Sequence, residues 1–151
     1  ARENKCPWNE WTCWAAAKAG HLAVLQWARE AGCRWTSLVT YLAATRGHLD
    51  MLAWAWQNGC PWDECVCRRA AAIGNDAILK WAVKKKRRLD VYVCAYAATG
   101  GYLDILKWAR ENGCPWDYNT CAGAAVGGYL HDVHRYSGAA GQLLERGVAR
   151  V

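Results

Sequence analysis

Nine cysteines, four histidines and thirteen carboxylates are the groups in this chain that could do nucleophilic, acid–base or metal chemistry. Their spacing argues against most of it. No C-x-x-C pair occurs, the closest two cysteines being Cys65 and Cys67. A zinc ribbon needs two such pairs to hold four ligands tetrahedrally. His131 and His134 stand one helical turn apart and could share a metal, but no third ligand accompanies them. P-loop, G-x-S-x-G and H-E-x-x-H patterns are absent. The expectation is no catalytic, metal or cofactor residue, and so a protein that is not an enzyme. A nucleophilic Cys beside a His is left open, because sequence does not place them in space. An odd number of cysteines cannot all pair within one chain. They are expected to be reduced, half-buried small hydrophobes in an intracellular, reducing compartment, cytoplasm or organelle, a plastid included.

The elements that position these residues come from a repeat. Trp27, Trp54, Trp81 and Trp108 recur at one constant interval. The same shift carries Gly20 onto Gly47, Gly74, Gly101 and Gly128, and Ala16-Ala17 onto Ala43-Ala44, Ala70-Ala71, Ala97-Ala98 and Ala124-Ala125. It also carries Cys6-Pro7-Trp8 onto Cys60-Pro61-Trp62 and Cys114-Pro115-Trp116. Five repeats thus open at residues 6, 33, 60, 87 and 114. Eleven Trp with no Phe is the composition expected of one copied unit.

Each unit reads as two short helices. Asn9, Thr36, Asp63, Asp90 and Asp117 are good N-caps, since a short side-chain oxygen accepts an orphan backbone N–H. A first helix then runs from Glu10 to Lys18 in repeat one and stops at the recurrent glycine. A second runs from Leu22 to Glu30, with Leu22, Leu25 and Ala28 forming its apolar stripe. Val91–Tyr96, rich in β-formers, falls in a first-helix slot and is read as helix. Two such helices cannot bury their apolar faces alone, whereas stacked copies can. The expected fold is all-α, a helix-turn-helix repeat solenoid within a single domain spanning 1–151, with a C-terminal cap at about 136–151. The Trp ladder is expected in the core or between repeats. Trp8, Trp35, Trp62 and Trp116 are expected to brace the turns, and His21 and His48 to bond backbone across a repeat junction.

Cys114-Pro115-Trp116-Asp117 and Leu106-Lys107-Trp108-Ala109-Arg110-Glu111-Asn112-Gly113 carry a resemblance. The unit resembles the short ankyrin-like repeats found in arrays in oomycetes, brown algae and other protists, and giant viruses. The likeness covers about residues 1–135. It implies an ankyrin-type stack used for protein–protein binding without catalysis. The unit is shorter than the usual ankyrin repeat and lacks its T-P-L-H motif, so the long hairpin finger is expected to shrink to a tight loop.

Places that differ between repeats are free for binding. On the first helices they include Trp11 and Trp14, Leu38, Tyr41 and Leu42, Arg68 and Arg69, and Tyr92 and Tyr96. Spacings of three and four set them on one side of each helix, and aromatics and Arg dominate binding hot spots. The run Lys84-Lys85-Lys86-Arg87-Arg88 replaces the closing Gly and the next Cys-Pro. From Arg68 to Arg88 eight basic residues face one acid, Asp76, a net +7 in a chain of +6. Basicity is therefore local, and a local patch steers anionic partners.

The first functional expectation is a non-enzymatic protein–protein interaction scaffold or linker, its partner a protein or multi-subunit complex with an acidic surface. The second is an accessory subunit of a large complex, docking through the basic run at an organellar membrane with anionic headgroups. An electrostatic nucleic-acid binder ranks third, since no recognition motif accompanies the run, which nevertheless resembles a nuclear import signal. No transmembrane segment is expected. Residues 1–5 match the tail of a second helix, as if another repeat preceded them, and the N-terminal face is expected to be the stickier one.

Overall fold

A computed structural model describes residues 9–129 and 131–132. The described residues form helices joined by turns, with no strand among them. First helices are α1 (Glu10–Ala19), α3 (Ser37–Thr45), α5 (Cys65–Ala72), α7 (Val91–Gly100) and α9 (Tyr118–Gly127). Second helices are α2 (Leu22–Glu30), α4 (Leu49–Gln57), α6 (Asp76–Lys84) and α8 (Leu103–Glu111). The second helices keep the interval of the Trp ladder without drift. The chain divides into two compact units, residues 1–66 and 67–151. In the first, α1 packs on α2 and α3, and α3 on α4. In the second, α7 packs on α8 and α9. The C-terminal cap expected at 136–151, the first CPW and residues 1–5 lie outside the described residues.

Local signals account for the helix ends. Thr36, Asp63, Asp90 and Asp117 each accept a hydrogen bond from a backbone N–H in the first turn that follows. Asn9 has the extended backbone of a cap but makes no side-chain cap bond. Its carbonyl is engaged instead, accepting from the Cys33 thiol at 2.8 Å. Gly20, Gly101 and Gly128 close first helices in the left-handed conformation. Gly32, Gly59 and Gly113 take φ of 84°, 82° and 80° just beyond α2, α4 and α8. Lys86 holds the same place after α6 with φ 59°. A side chain there costs roughly 1–2 kcal/mol, because Cβ crowds the carbonyl.

The core is made of small side chains. Ala16-Ala17 and Ala43-Ala44 in the first unit, and Ala70-Ala71 and Ala97-Ala98 in the second, are at most 3% exposed. Each second helix buries a matching stripe: Leu25 and Ala28, Leu52 and Ala55, Leu79 and Ala82, Leu106 and Ala109. The Trp ladder is not in this core. Trp27 is 50% exposed, and Trp54, Trp81 and Trp108 are half-buried. Each immediately precedes the buried Ala, so it lies about 100° around the helix and on the flank of the stripe. Trp54 packs edge-on against Trp35, with ring centroids 5.7 Å apart.

Junctions between repeats recur in both units. The Arg29 guanidinium lies 4.2 Å over the Trp35 ring, and Arg110 lies 5.0 Å over Trp116. These two turn tryptophans therefore brace the turn through cation–π contact. A ring also covers a glycine of the preceding repeat. A Cβ on Gly20 would meet the His48 ring at 2.7 Å, and one on Gly74 or Gly101 would meet Tyr102 or Tyr129 at 2.5 Å. The expected backbone bonding is not what these rings show: His21 and His48 make no side-chain cap bond, and the His48 ring instead covers Gly20.

Replacing Lys86 by Gly should raise stability by about 0.5–1 kcal/mol, since relief of the left-handed strain exceeds the entropy of a freer unfolded chain. Urea denaturation followed by circular dichroism measures it. A loss of stability would mean that the Lys86 side chain contributes more than its backbone strain costs.

Candidate partner-binding surface

The cysteines are structural first. Cys33, Cys60 and Cys114, each opening a repeat, donate their thiols to the backbone carbonyls of Asn9, Thr36 and Asp90 at 2.8, 3.5 and 3.2 Å. Every one reaches back to the residue before a first helix. Burial pushes the Cys60 and Cys67 thiols up to about 11 and Cys13 to about 12. All three stay protonated at neutral pH, and Cys60 keeps the proton it donates. Eight cysteines are described and all eight are free. Among the described residues no group of three His, Cys, Asp or Glu is placed to hold a metal. His134 lies outside them.

In the first unit Trp11 is 70% exposed and stacks edge-on against half-buried Trp14, with centroids 5.1 Å apart. Trp14 is thus a support for Trp11 as much as a contact residue. Tyr41, Leu38 and Leu42 are half-buried. Their outer surfaces alone are open to a partner.

In the second unit the places foreseen on α5 and α7 divide into two kinds. Tyr92 and Tyr96 are 45% and 42% exposed, and Arg69 is exposed. Arg68 is engaged within the fold. Its Nε donates to Asp90 Oδ2 at 2.7 Å, and its guanidinium lies 4.4 Å over the Tyr92 ring. Asp90 Oδ1 meanwhile accepts from the Tyr92 and Val93 N–H groups. One carboxylate therefore caps α7 and, through Arg68, fixes the Tyr92 ring. Arg68 is a positioning residue here.

The basic run divides similarly. Lys84, Lys86 and Arg88 are exposed, whereas Lys85 and Arg87 are half-buried. Arg87 Nε is buried, and its charge favours the thiolate of nearby Cys67. Three of the five cations are thus exposed.

Sequence reasoning missed several exposed groups. Tyr118 is 68% and Val126 82% exposed on α9. A cavity of about 550 Å³ between α6 and α8 is lined by Gly74, Asp76, Lys80, Tyr102, Asp104 and Trp108 among others. Lys80 lies 2.7 Å from Asp76 there and holds its carboxyl below the usual range. Trp108 could have signalled this groove, but a Trp in a periodic apolar stripe reads as core or as packing between repeats.

No protein-family model matches the chain, and no curated protein matches it significantly. No described helix is long and apolar enough to cross a membrane.

Asp90→Ala should cost about 1–2 kcal/mol, the usual worth of a side-chain N-cap. Arg68→Ala should cost under about 1 kcal/mol, because both partners are partly exposed. Chemical denaturation of both variants checks the order. Equal losses would show that the ion pair, and not the cap, carries Asp90's contribution.

Proposed function

We propose that this chain is a non-catalytic interaction module whose repeated units stack as a short ankyrin-like solenoid of about five repeats. Its first helices present the contact surface. The carrying observation is that large aromatic side chains stand exposed at first-helix places that vary between repeats: Trp11 on α1, Tyr92 and Tyr96 on α7, and Tyr118 on α9. Burying such rings against a partner removes large apolar area at small entropic cost. On α1 and α7 the Ala pairs lie inside, and on α9 Ala124 does, so one face holds the unit together while the other is left for binding. Carboxylates that could otherwise do acid–base work are used as caps at Asp63, Asp90 and Asp117. That use supports a binding role over a catalytic one.

The partner is a protein with an acidic surface. Lys84, Lys86 and Arg88 are exposed at the end of α6 and in the segment that follows it, and the turn there keeps a strained Lys where three other turns have Gly. Strain held at a charged surface loop supports use of that charge. Docking of the same run on anionic membrane headgroups, as in an accessory subunit of an organellar complex, is the second reading, favoured by this cationic turn.

Native pull-down with crosslinking tests both. Trp11→Ala, and Tyr92→Ala with Tyr96→Ala, should each weaken association with the crosslinked protein by about tenfold or more. Neutralising Lys84, Lys86 and Arg88 to Gln should weaken it further and flatten its salt dependence, with helicity unchanged. Retention on anionic vesicles that the Gln variant loses would favour the membrane reading. Binding to nucleic acid with a steep salt slope, or association untouched by all these changes, would overturn the proposal.

A further inference from the structure

The eighth residue of each repeat faces the first residue of the next, and the pair differs from junction to junction. In one junction it is Thr40 and Cys60, in another Cys67 and Arg87, and in two it is a pair of thiols, Cys13 with Cys33 and Cys94 with Cys114. We propose that Cys94 and Cys114 are a redox modification site that closes to a reversible disulfide under hydrogen peroxide, tying α7 to the turn that opens the next repeat.

Geometry carries this. The two Sγ atoms are 2.7 Å apart, about 0.7 Å beyond a disulfide bond length. Cys94 sits in the middle of α7 at 0% exposure, and Cys114 in the turn after α8 at 5%. Exposed Gly113 and Pro115 flank Cys114, so a small oxidant approaches from the turn and meets Cys114 first. The pair also has the asymmetry such a reaction needs. Cys94 donates to Cys114 and is itself held protonated, while the accepted hydrogen bond lowers Cys114 below the usual thiol range. At the repeat-equivalent pair, burial raises Cys13.

The chemistry balances with peroxide as the only oxidant. Cys114 thiolate attacks one peroxide oxygen, the O–O bond breaks, and hydroxide leaves and takes up a proton as water. The resulting Cys114 sulfenic acid lies against Cys94. The Cys94 sulfur attacks Cys114 Sγ, the S–O bond breaks, and the oxygen leaves as a second water with the Cys94 proton. Two thiols have given two electrons to one peroxide. The bond removes the thiol that Cys114 donates to Asp90 O, replacing a weak tie across the junction with a covalent one.

The test is peptide mapping of the full chain after stoichiometric hydrogen peroxide and alkylation, with fragmentation that separates Cys114 from Cys121. The expected result is loss of two alkylatable thiols, a peptide pair linking Cys94 to Cys114, and full return of both thiols with dithiothreitol. Cys94→Ser, which keeps a donor to Cys114 but removes the resolving sulfur, should trap Cys114 as a sulfenic acid that dimedone labels, and Cys114→Ser should abolish the crosslink. If neither variant folds, the wild-type map alone decides. Both thiols remaining alkylatable, or a disulfide at another pair in place of this one, would overturn the proposal.

Discussion

Close approach of helix backbones is the constraint on which the rest of this structure depends. The alanine pairs of α1, α3, α5 and α7 and the single alanines of the second helices are all essentially inaccessible to solvent. Where α9 crosses α7 the fit is tighter still. A Cβ on Gly123 would lie 2.5 Å from the Ala95 carbonyl oxygen, and one on Gly127 would lie closer still to the Thr99 carbonyl oxygen. Backbone cannot yield as a flexible side chain does. Apolar burial by alanine is modest, so the larger transfer term falls on Leu25, Leu52, Leu79 and Leu106, at about 1.5–3 kcal/mol each. The seam's contribution is dense contact between elements that would be too short to be stable alone.

A seam this thin has no room for indoles. Eleven tryptophans are present, yet none of the described ones is fully buried. They are placed on helix flanks and in turns, where Arg29, Arg110 and Trp54 contact them. The same exclusion leaves Trp11, Tyr92 and Tyr118 facing outward. Structural economy inside and aromatic surface outside have one cause. Polar groups at the junctions add direction to the packing. Thr40 Oγ1 lies 3.0 Å from Pro61 O and accepts from the Asp63 N–H, and the cysteine thiols reach the carbonyls before first helices. These groups satisfy backbone that short turns would otherwise leave buried and unpaired.

Much of the fold was legible because the repeat reports itself. The reading of Leu22–Glu30 as a helix matches α2, and the left-handed glycines and the helical state of Val91–Tyr96 were found as expected. What was not legible depends on distance in space. The Trp ladder read as core or as packing between repeats because a large apolar residue at helical period normally is. Nothing in the sequence says that alanine has already taken the stripe. Arg68 read as a free contact residue because Asp90 lies in the next repeat and is not a helical neighbour. The contact between Cys94 and Cys114 likewise joins two repeats and belongs to no motif. Only the turn between repeats brings the two together.

The most direct measurement compares two substitutions by urea denaturation: Ala97→Leu in the seam and Trp27→Ala on the ladder. If close backbone approach holds the fold, Ala97→Leu loses about 1–3 kcal/mol or more through overpacking, and Trp27→Ala loses under about 1 kcal/mol. A large loss at Trp27 with Ala97→Leu tolerated would contradict the account, and would return the indoles to the centre of the fold.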